Sequence, residues 1–277
     1  MNKQNDSYPF ADLALSQRLE RTEAHGNAAF VEARALAFPE TGATWIEVAG
    51  THAMFDGPGS PISQTFGLGM LEPVTPENLD QIEKFFFERG TDVFHEVSPL
   101  ADESAFALLN ERGYRPVEFT SVMFRPIDRD LVLPAAQNSK VKVHVTADNE
   151  KETWSEIAFQ GWSEFVELTD FLREMGKVHS FSKSPSFLAE LNNEPVATGM
   201  LTIHDGVALL AGASTIPSAR RQGAQLSLLE YRLRYGAEQG CDIAMMAALP
   251  GSASQRNAER HGFRIAYTRI KWHLPQG

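Results

Sequence analysis

Ser218-Ala219-Arg220-Arg221-Gln222-Gly223-Ala224-Gln225 joins an apolar, strand-like stretch to an amphipathic, helix-like one. Two arginines supply charge and planar donors for anionic oxygens, and the glycine lets the backbone approach a ligand. A helix that starts here leaves its first NH groups unpaired and facing outward, so the stretch reads as an anion-binding turn. The competing reading is an ordinary strand-to-helix connection with solvated arginines. A Walker-type phosphate loop is excluded, because no Gly-Lys-Ser/Thr follows.

The elements on either side follow from pattern. Residues 187–191 and 196–204 read as strands joined at Asn192-Asn193, a pair that tolerates left-handed backbone. Asp205-Gly206 gives a two-residue hairpin, and residues 207–215 a third strand whose centre, Ala211-Gly212-Ala213-Ser214, has side chains small enough to let something lie against the backbone. Leu226, Leu229, Leu233 and Ala237 recur at helical spacing, and Gly240 marks the stop. A strand over 243–249 ends at Pro250-Gly251. A short helix over 254–260 closes at Gly262, and 263–273 is a last strand.

This order, with Arg220-x-x-Gly223 as the turn and Glu259-Arg260-His261-Gly262-Phe263 after it, resembles the acyl-CoA core of the GNAT superfamily of N-acetyltransferases. The resemblance covers roughly 141–275 and is closest over 207–267. The family's turn reads Gln/Arg-x-x-Gly-x-Gly/Ala. Here the last position is Gln225, whose side chain has to point away from a bound diphosphate.

The resemblance implies an N-acetyltransferase that moves an acetyl group from acetyl-CoA to an amine, by direct attack in a ternary complex. It assigns the diphosphate to Arg220, Arg221, Gln222, Gly223, Ala224 and Gln225, and the pantetheine to the strand at Ala213, Ser214 and Thr215, with Asn257 as a further contact. A backbone NH near Ala213 or Ser214 would meet the oxyanion. Many members carry a Tyr general acid where this chain has Ala258, so Ser254 and Tyr267 stand in as candidates, Ser252 and Ser254 also being helix-cap residues. Glu164 and Glu167, flanked by Trp162 and Phe165, are candidate bases, with solvated surface charge as the alternative. His204, at a hairpin tip, is a further candidate base or simply an exposed turn residue. No histidine has metal-ligand spacing, so no metal is expected. The departures at Ala258 and Gln225 keep open a second reading, a non-catalytic acyl-CoA-binding sensor or interaction module.

An internal repeat sets the domain organisation. Glu88-Arg89-Gly90-Thr91-Asp92-Val93-Phe94 resembles Glu238-Gln239-Gly240-Cys241-Asp242-Ile243-Ala244, and Asn110-Glu111-Arg112-Gly113-Tyr114-Arg115 resembles residues 258–264. Two GNAT-like lobes of α/β (α+β) class follow, each a mixed, mostly antiparallel sheet flanked by helices. The expected domains are 1–127, a linker at 128–140, and 141–277. Where the first lobe should have its own phosphate turn it has Phe66-Gly67-Leu68-Gly69-Met70, then Glu72 and Glu77. Carboxylates there oppose a diphosphate, so the first lobe is expected not to bind CoA.

Composition fits a soluble protein. The chain has 277 residues, 43% of them hydrophobic, enough for two cores. A single cysteine, Cys241, excludes a disulfide framework and a cysteine-rich zinc site. The formal charge of -11 argues against a nucleic-acid partner. Neither a secretion signal nor a membrane span is read, which gives a cytoplasmic expectation by default. The acceptor is an amine on a small molecule or peptide whose identity is not legible, and a monomer is slightly favoured over a homodimer because one chain already holds two similar lobes.

Overall fold

A computed structural model describes residues 8–131, 140–164 and 169–277. The chain forms two compact units. One comprises residues 1–126 and 245–277, the other residues 127–244.

The second unit carries the turn. Its strands β6 (Val141–Val145), β7 (Ser186–Leu191), β8 (Glu194–His204) and β9 (Val207–Thr215) pair antiparallel in sequence order. The two hairpins form where left-handed residues were expected, at Asn192 and Asn193 (φ +55° and +68°) and at Asp205 and Gly206 (φ +47° and +70°). Consecutive residues of a strand face opposite ways, and β7 shows what covers each face. Leu188 packs with Trp154 and Ala158 of α4 (Lys151–Gly161) and Met175 of α5 (Thr169–Phe181), whereas Phe187 meets Tyr231 and Tyr235 of α6 (Ala224–Glu238) edge-on. Helices thus cover both faces of this sheet.

Under α5, His179 is 2% exposed, lies 4.1 Å from the Trp154 ring and contacts the Ser186 hydroxyl through Nε2 at 2.9 Å. Burial lowers its pKa to about 4, with the Lys151 charge adding to the effect. The unfolded chain therefore binds a proton that the folded unit refuses between pH 6.5 and about 4. The contribution is present above pH 6.5 and lost as pH falls through that window. Urea midpoints at pH 7.5 and 5 should show this loss in the wild type, and His179→Gln, which cannot charge, should show a shallower one.

In the first unit, β1 (Thr44–Val48), β2 (Thr51–Phe55) and β3 (Gln64–Phe66) are antiparallel, β4 (Val93–Val97) is parallel to β3, and β11 (Arg264–Leu274) lies between β4 and β5 (Arg115–Pro126), antiparallel to both. Met54 and Phe55 report its two faces. Met54 packs with Ala24, Ala28 and Val31 of α1 (Leu13–Ala37), and Phe55 with Leu79, Ile82 and Phe86 of α2 (Pro76–Phe87) and Leu109 of α3 (Glu103–Glu111).

The repeat is visible in the backbone. α2 and α6 each end at a left-handed glycine, Gly90 (φ +69°) or Gly240 (φ +86°), followed by the same closing bond, Thr91 NH to Phe86 carbonyl or Cys241 NH to Gly236 carbonyl. α3 and α7 (Ala253–Arg260) end alike at Gly113 and Gly262, with Tyr114 NH on Leu109 carbonyl and Phe263 NH on Ala258 carbonyl. The fold class is the expected one in both units.

The compact units run along the chain differently from the repeat. Residues 245–277 group with 1–126, and the crossing falls inside β10 (Ile243–Ala248) instead of at the 128–140 stretch, of which 132–139 lie outside the described residues. The physical reason is β11. It pairs along both edges, from Ile270↔Val97 to Leu274↔Val93 and from Arg264↔Phe124 to His273↔Arg115, so its backbone is satisfied within the first unit. Its charged side chains are anchored there too. Arg269, 2% exposed, donates to Glu96 through Nε at 2.9 Å and to Glu23 through Nη1 at 2.9 Å, and pairs with Glu20 at 3.3 Å.

Candidate acyl-donor site

The site is built where β9 hands over to α6. α6 begins at Ala224 behind Gly223, which is left-handed (φ 90°, ψ -3°), and no side chain caps the helix start. Glycine is the residue that adopts this backbone without strain, and its missing side chain leaves the first NH groups of α6 open to an external acceptor. Arg221, two residues earlier, is also left-handed at φ +62°, a costly conformation for a residue with a side chain. Alternation of left-handed and ordinary backbone over consecutive residues turns their NH groups inward, the arrangement of an anion-binding nest.

The two arginines divide the work. Arg220, although exposed, is bonded through each guanidinium nitrogen: Nη1 donates to Glu164 Oε1 at 2.8 Å, Nη2 to the Gly161 carbonyl at 3.3 Å and Nε to the Thr215 carbonyl at 3.3 Å. It therefore fastens the end of α4 and the end of β9 to the turn. Arg221 is exposed, and among the described residues its guanidinium has no hydrogen-bond or ion-pair partner. Gln225 turns back and donates from Nε2 to Thr215 Oγ1 at 2.7 Å, so its extra bulk lies along β9.

Next to the turn, β9 is bulged. Thr198 pairs with Ser214 and Met200 with Ala211, so Gly199 of β8 faces both Gly212 and Ala213 of β9, and Gly212 takes φ +60°. A bulge breaks the ladder locally and frees backbone groups. Arg232, 4% exposed on α6, holds it from below by donating Nη1 to the carbonyls of Met200 and Ala211 at 3.1 and 3.2 Å. A Cβ at Gly199 would sit 3.0 Å from the Arg232 guanidinium carbon, so a side chain there would press on that guanidinium. Burial lowers the Arg232 pKa to about 10, which still leaves it charged at neutral pH. On the other face Ser214 is buried, its hydroxyl 2.9 Å from that of Thr198, and a Cβ at Gly161 would come within 2.4 Å of Ser214 Oγ. The end of α4 is thereby pressed onto β9.

The structure gathers Ala213, Ser214, Thr215, the residues 220–225 and Glu164 at one place in the second unit. Glu167 lies outside the described residues. Ser254, Asn257 and Tyr267 belong to the first unit. Ser254 and Asn257 are exposed on α7, whose cap is Ser252, accepting from Gln255 NH at 3.2 Å. Tyr267 is 6% exposed and donates to Glu20 Oε1 at 2.7 Å. Burial pushes its pKa well above 10, helped by the Glu20 charge. Its proton is committed to a buried carboxylate. Glu164, the described candidate base, is 61% exposed in its side chain and paired with Arg220. His204 at the hairpin tip is partly buried.

Sequence reasoning missed Arg232 and Gly199. The available signal was an arginine inside the apolar stripe of α6, four residues after Leu228, and a glycine in the middle of a β-branched strand.

The first unit offers a contrast at the equivalent place. Gly67 (φ +85°) and Gly69 (φ +70°) do make a turn after β3, but a Cβ at Gly69 would meet Ala105 at 3.0 Å, and Gly69 carbonyl accepts from Asp102 NH at 2.8 Å. The start of α2 is closed by its own capping box, Thr75 Oγ1 accepting from Asn78 NH and Asn78 Oδ1 from Thr75 NH. Its NH groups are used internally.

Among the described residues no cluster of three or more His, Cys, Asp or Glu is arranged to hold a metal ion, and no helix is long and apolar enough to cross a membrane.

Residues 143–263 match the acetyltransferase (GNAT) family. No curated protein is significantly similar to the chain. Among solved structures, the chain is similar to a GCN5-related N-acetyltransferase from Kribbella flavida (22% identity, 90% of this chain and 96% of that one, TM-score 0.64). It is also similar to a tandem GNAT protein from the clavulanic acid biosynthesis pathway (13% identity, 83% and 79%, TM-score 0.57). A third is a GCN5-related N-acetyltransferase from Sphaerobacter thermophilus (16% identity, 77% and 72%, TM-score 0.54). At these identities the likeness concerns the fold. The matched stretch, residues 143–263, contains the whole turn and bulge described above.

Proposed function

We propose that this GNAT domain binds acetyl-CoA at the start of α6 and transfers its acetyl group to an amine, while the first unit, GNAT-like in fold, binds no CoA. The carrying observation is the uncapped start of α6 at left-handed Gly223, beside the bulged β9. The NH groups of residues 223–225 would hold the diphosphate, with exposed Arg221 as its cation. The pantetheine amides would pair with backbone freed at Gly212 to Ser214, the strand-addition mode of peptide recognition.

The reaction needs the acceptor nitrogen to attack the thioester carbonyl, the carbon–sulfur bond to break, and the ammonium proton to leave. A backbone NH of the bulge, fixed by Arg232, would face the developing oxyanion, a donor that costs no reorganisation in the transition state. The thiolate is a moderate base and departs without a dedicated acid. That suits a chain with Ala258 where relatives have Tyr, and with Tyr267 bound to Glu20. Proton removal falls to solvent, to Glu167 or to Glu164.

One observation favours the second reading, an acyl-CoA-binding sensor or interaction module. Glu164 is tied to Arg220, and Tyr267 to Glu20, so two of the candidate catalytic groups are already engaged. Calorimetric titration with acetyl-CoA, followed by thiol release with a panel of small amines and amino-terminal peptides, separates the two. Binding with release above the uncatalysed rate supports transfer. Binding without release supports the sensor, and no binding removes both.

Arg220 acts by position in this account. Arg220→Ala should weaken acetyl-CoA binding roughly tenfold by loosening the turn, and Arg220→Lys should not rescue it, because an ammonium cannot bridge Gly161, Glu164 and Thr215 together. Full rescue by lysine would instead mark Arg220 as a simple charge.

A further inference from the structure

A cavity of about 420 Å3 opens in the first unit, within the roughly 300–1,000 Å3 of ordinary ligand pockets. Its wall includes Ser60, Gln64, Thr91, Asp92, Phe94 and Lys271. Gln64 is the first residue of β3 and Asp92 directly precedes β4. The cavity thus lies where these parallel strands begin, and the glycine turn Gly67–Met70 follows the other end of β3. It is a separate place from the closed counterpart of the phosphate turn.

Most polar groups on the wall are committed. Ser60 Oγ donates to Asp56 Oδ2 at 2.6 Å. Asp92 accepts from Gln276 NH at 2.8 Å and meets His273 Nε2 at 2.8 Å. Lys271 Nζ binds Glu96 and Glu118, each at 3.1 Å. The charges are compensated inside the protein.

Two side chains are not committed. Gln64 and Thr91 are each 8% exposed, and among the described residues neither the carboxamide nor the hydroxyl has a hydrogen-bond partner. Polar groups buried to this degree are normally paired, and both residues line the cavity. Gln64 offers two donors and an acceptor, Thr91 one donor and an acceptor, and Lys271 a third proton. Phe94, whose ring stacks on His273 at 4.5 Å, adds an apolar wall.

These features select a ligand. An anion would lie against Asp92 and a cation against Lys271, so neither sign of charge is favoured. Mixed donors and acceptors beside an aromatic ring match adjacent hydroxyls on a ring of carbons. We propose that this cavity binds an uncharged polyhydroxylated molecule of monosaccharide size, hydrogen-bonded to Gln64 and Thr91 and packed on Phe94. The proposal is independent of acyl transfer in the second unit.

Saturation-transfer NMR on the full chain tests it, with glucose, galactose, mannose and myo-inositol as probes and with glucosamine and glucose 6-phosphate as charged comparators. At least one neutral probe should bind. Gln64→Leu and Thr91→Val should each weaken it about tenfold or more, the loss of one hydrogen bond in a buried site. Neither substitution removes a bond within the protein, so both variants should keep the wild-type melting temperature. Thr91→Val, the closer match in shape, decides the matter if Gln64→Leu fails to fold. Absence of binding by every neutral probe, tighter binding of a charged comparator, or unchanged affinity in the variants would overturn the assignment.

Discussion

Arg269→Met should destabilise the first unit by about 3–5 kcal/mol, the cost of removing one partner from a buried ion network. Arg269 is the cation among Glu20, Glu23 and Glu96, and among the described residues only Glu96 of these has another cation, Lys271. Without it, three carboxylates share an interior with one ammonium. The effect should depend on pH. Burial raises the Glu20 pKa to about 7 even with Arg269 in place, so between pH 4.5 and about 7 the folded unit holds a proton that the unfolded chain releases. A raised carboxyl pKa contributes stability that is fully present below pH 4.5 and lost as pH rises through 7. In Arg269→Met the Glu20 carboxyl loses the charge that opposes its burial and shifts further up, so the variant should fall furthest behind the wild type near pH 8 and recover toward pH 5. Melting temperatures at the two pH values read this directly. An equal deficit at both would mean that Arg269 matters through packing, and no deficit would mean that β11 is held by its backbone pairing alone.

Gly223→Asp should cost acetyl-CoA binding at least about a hundredfold, or some 2.7 kcal/mol. Two causes act together. A side chain at φ 90° strains the turn, and a carboxylate at the helix start takes the NH groups that the diphosphate would use while repelling its charge. Gly223→Ala carries the strain without the charge and should lose about tenfold. The mirror experiment lies at α2. Thr75→Gly removes the side chain that closes that helix start, yet Glu72 and Glu77 remain, so it should confer no CoA binding. Calorimetry on the three variants separates strain from charge.

What could be read from sequence, and what could not, divides by the range of the cause. Asn192-Asn193, Asp205-Gly206, Gly240 and Gly262 impose backbone geometry on their own few residues, and the structure has left-handed residues at each. The turn at Gly223 was legible for the same reason. The partners of Arg220 were not, because Gly161 and Glu164 sit 59 and 56 positions away and only tertiary structure makes them its neighbours. The place of β11 was hidden by the repeat itself. β5 and β11 are matching strands of two similar halves, so their local pattern suits either sheet, and their pairing with each other joins residues 140 or more positions apart. The bulge left a trace in Gly199 and Gly212, but its support by Arg232 involves a helix that pattern reading treats as an apolar stripe.

Backbone amide shifts of the full chain during titration with acetyl-CoA test the central claim most directly. The account predicts the largest shifts at residues 221–225 and along 212–215, with the start of α2 at residues 76–79 unmoved. Saturating binding that shifts residues 67–79 and leaves 221–225 unchanged would contradict it.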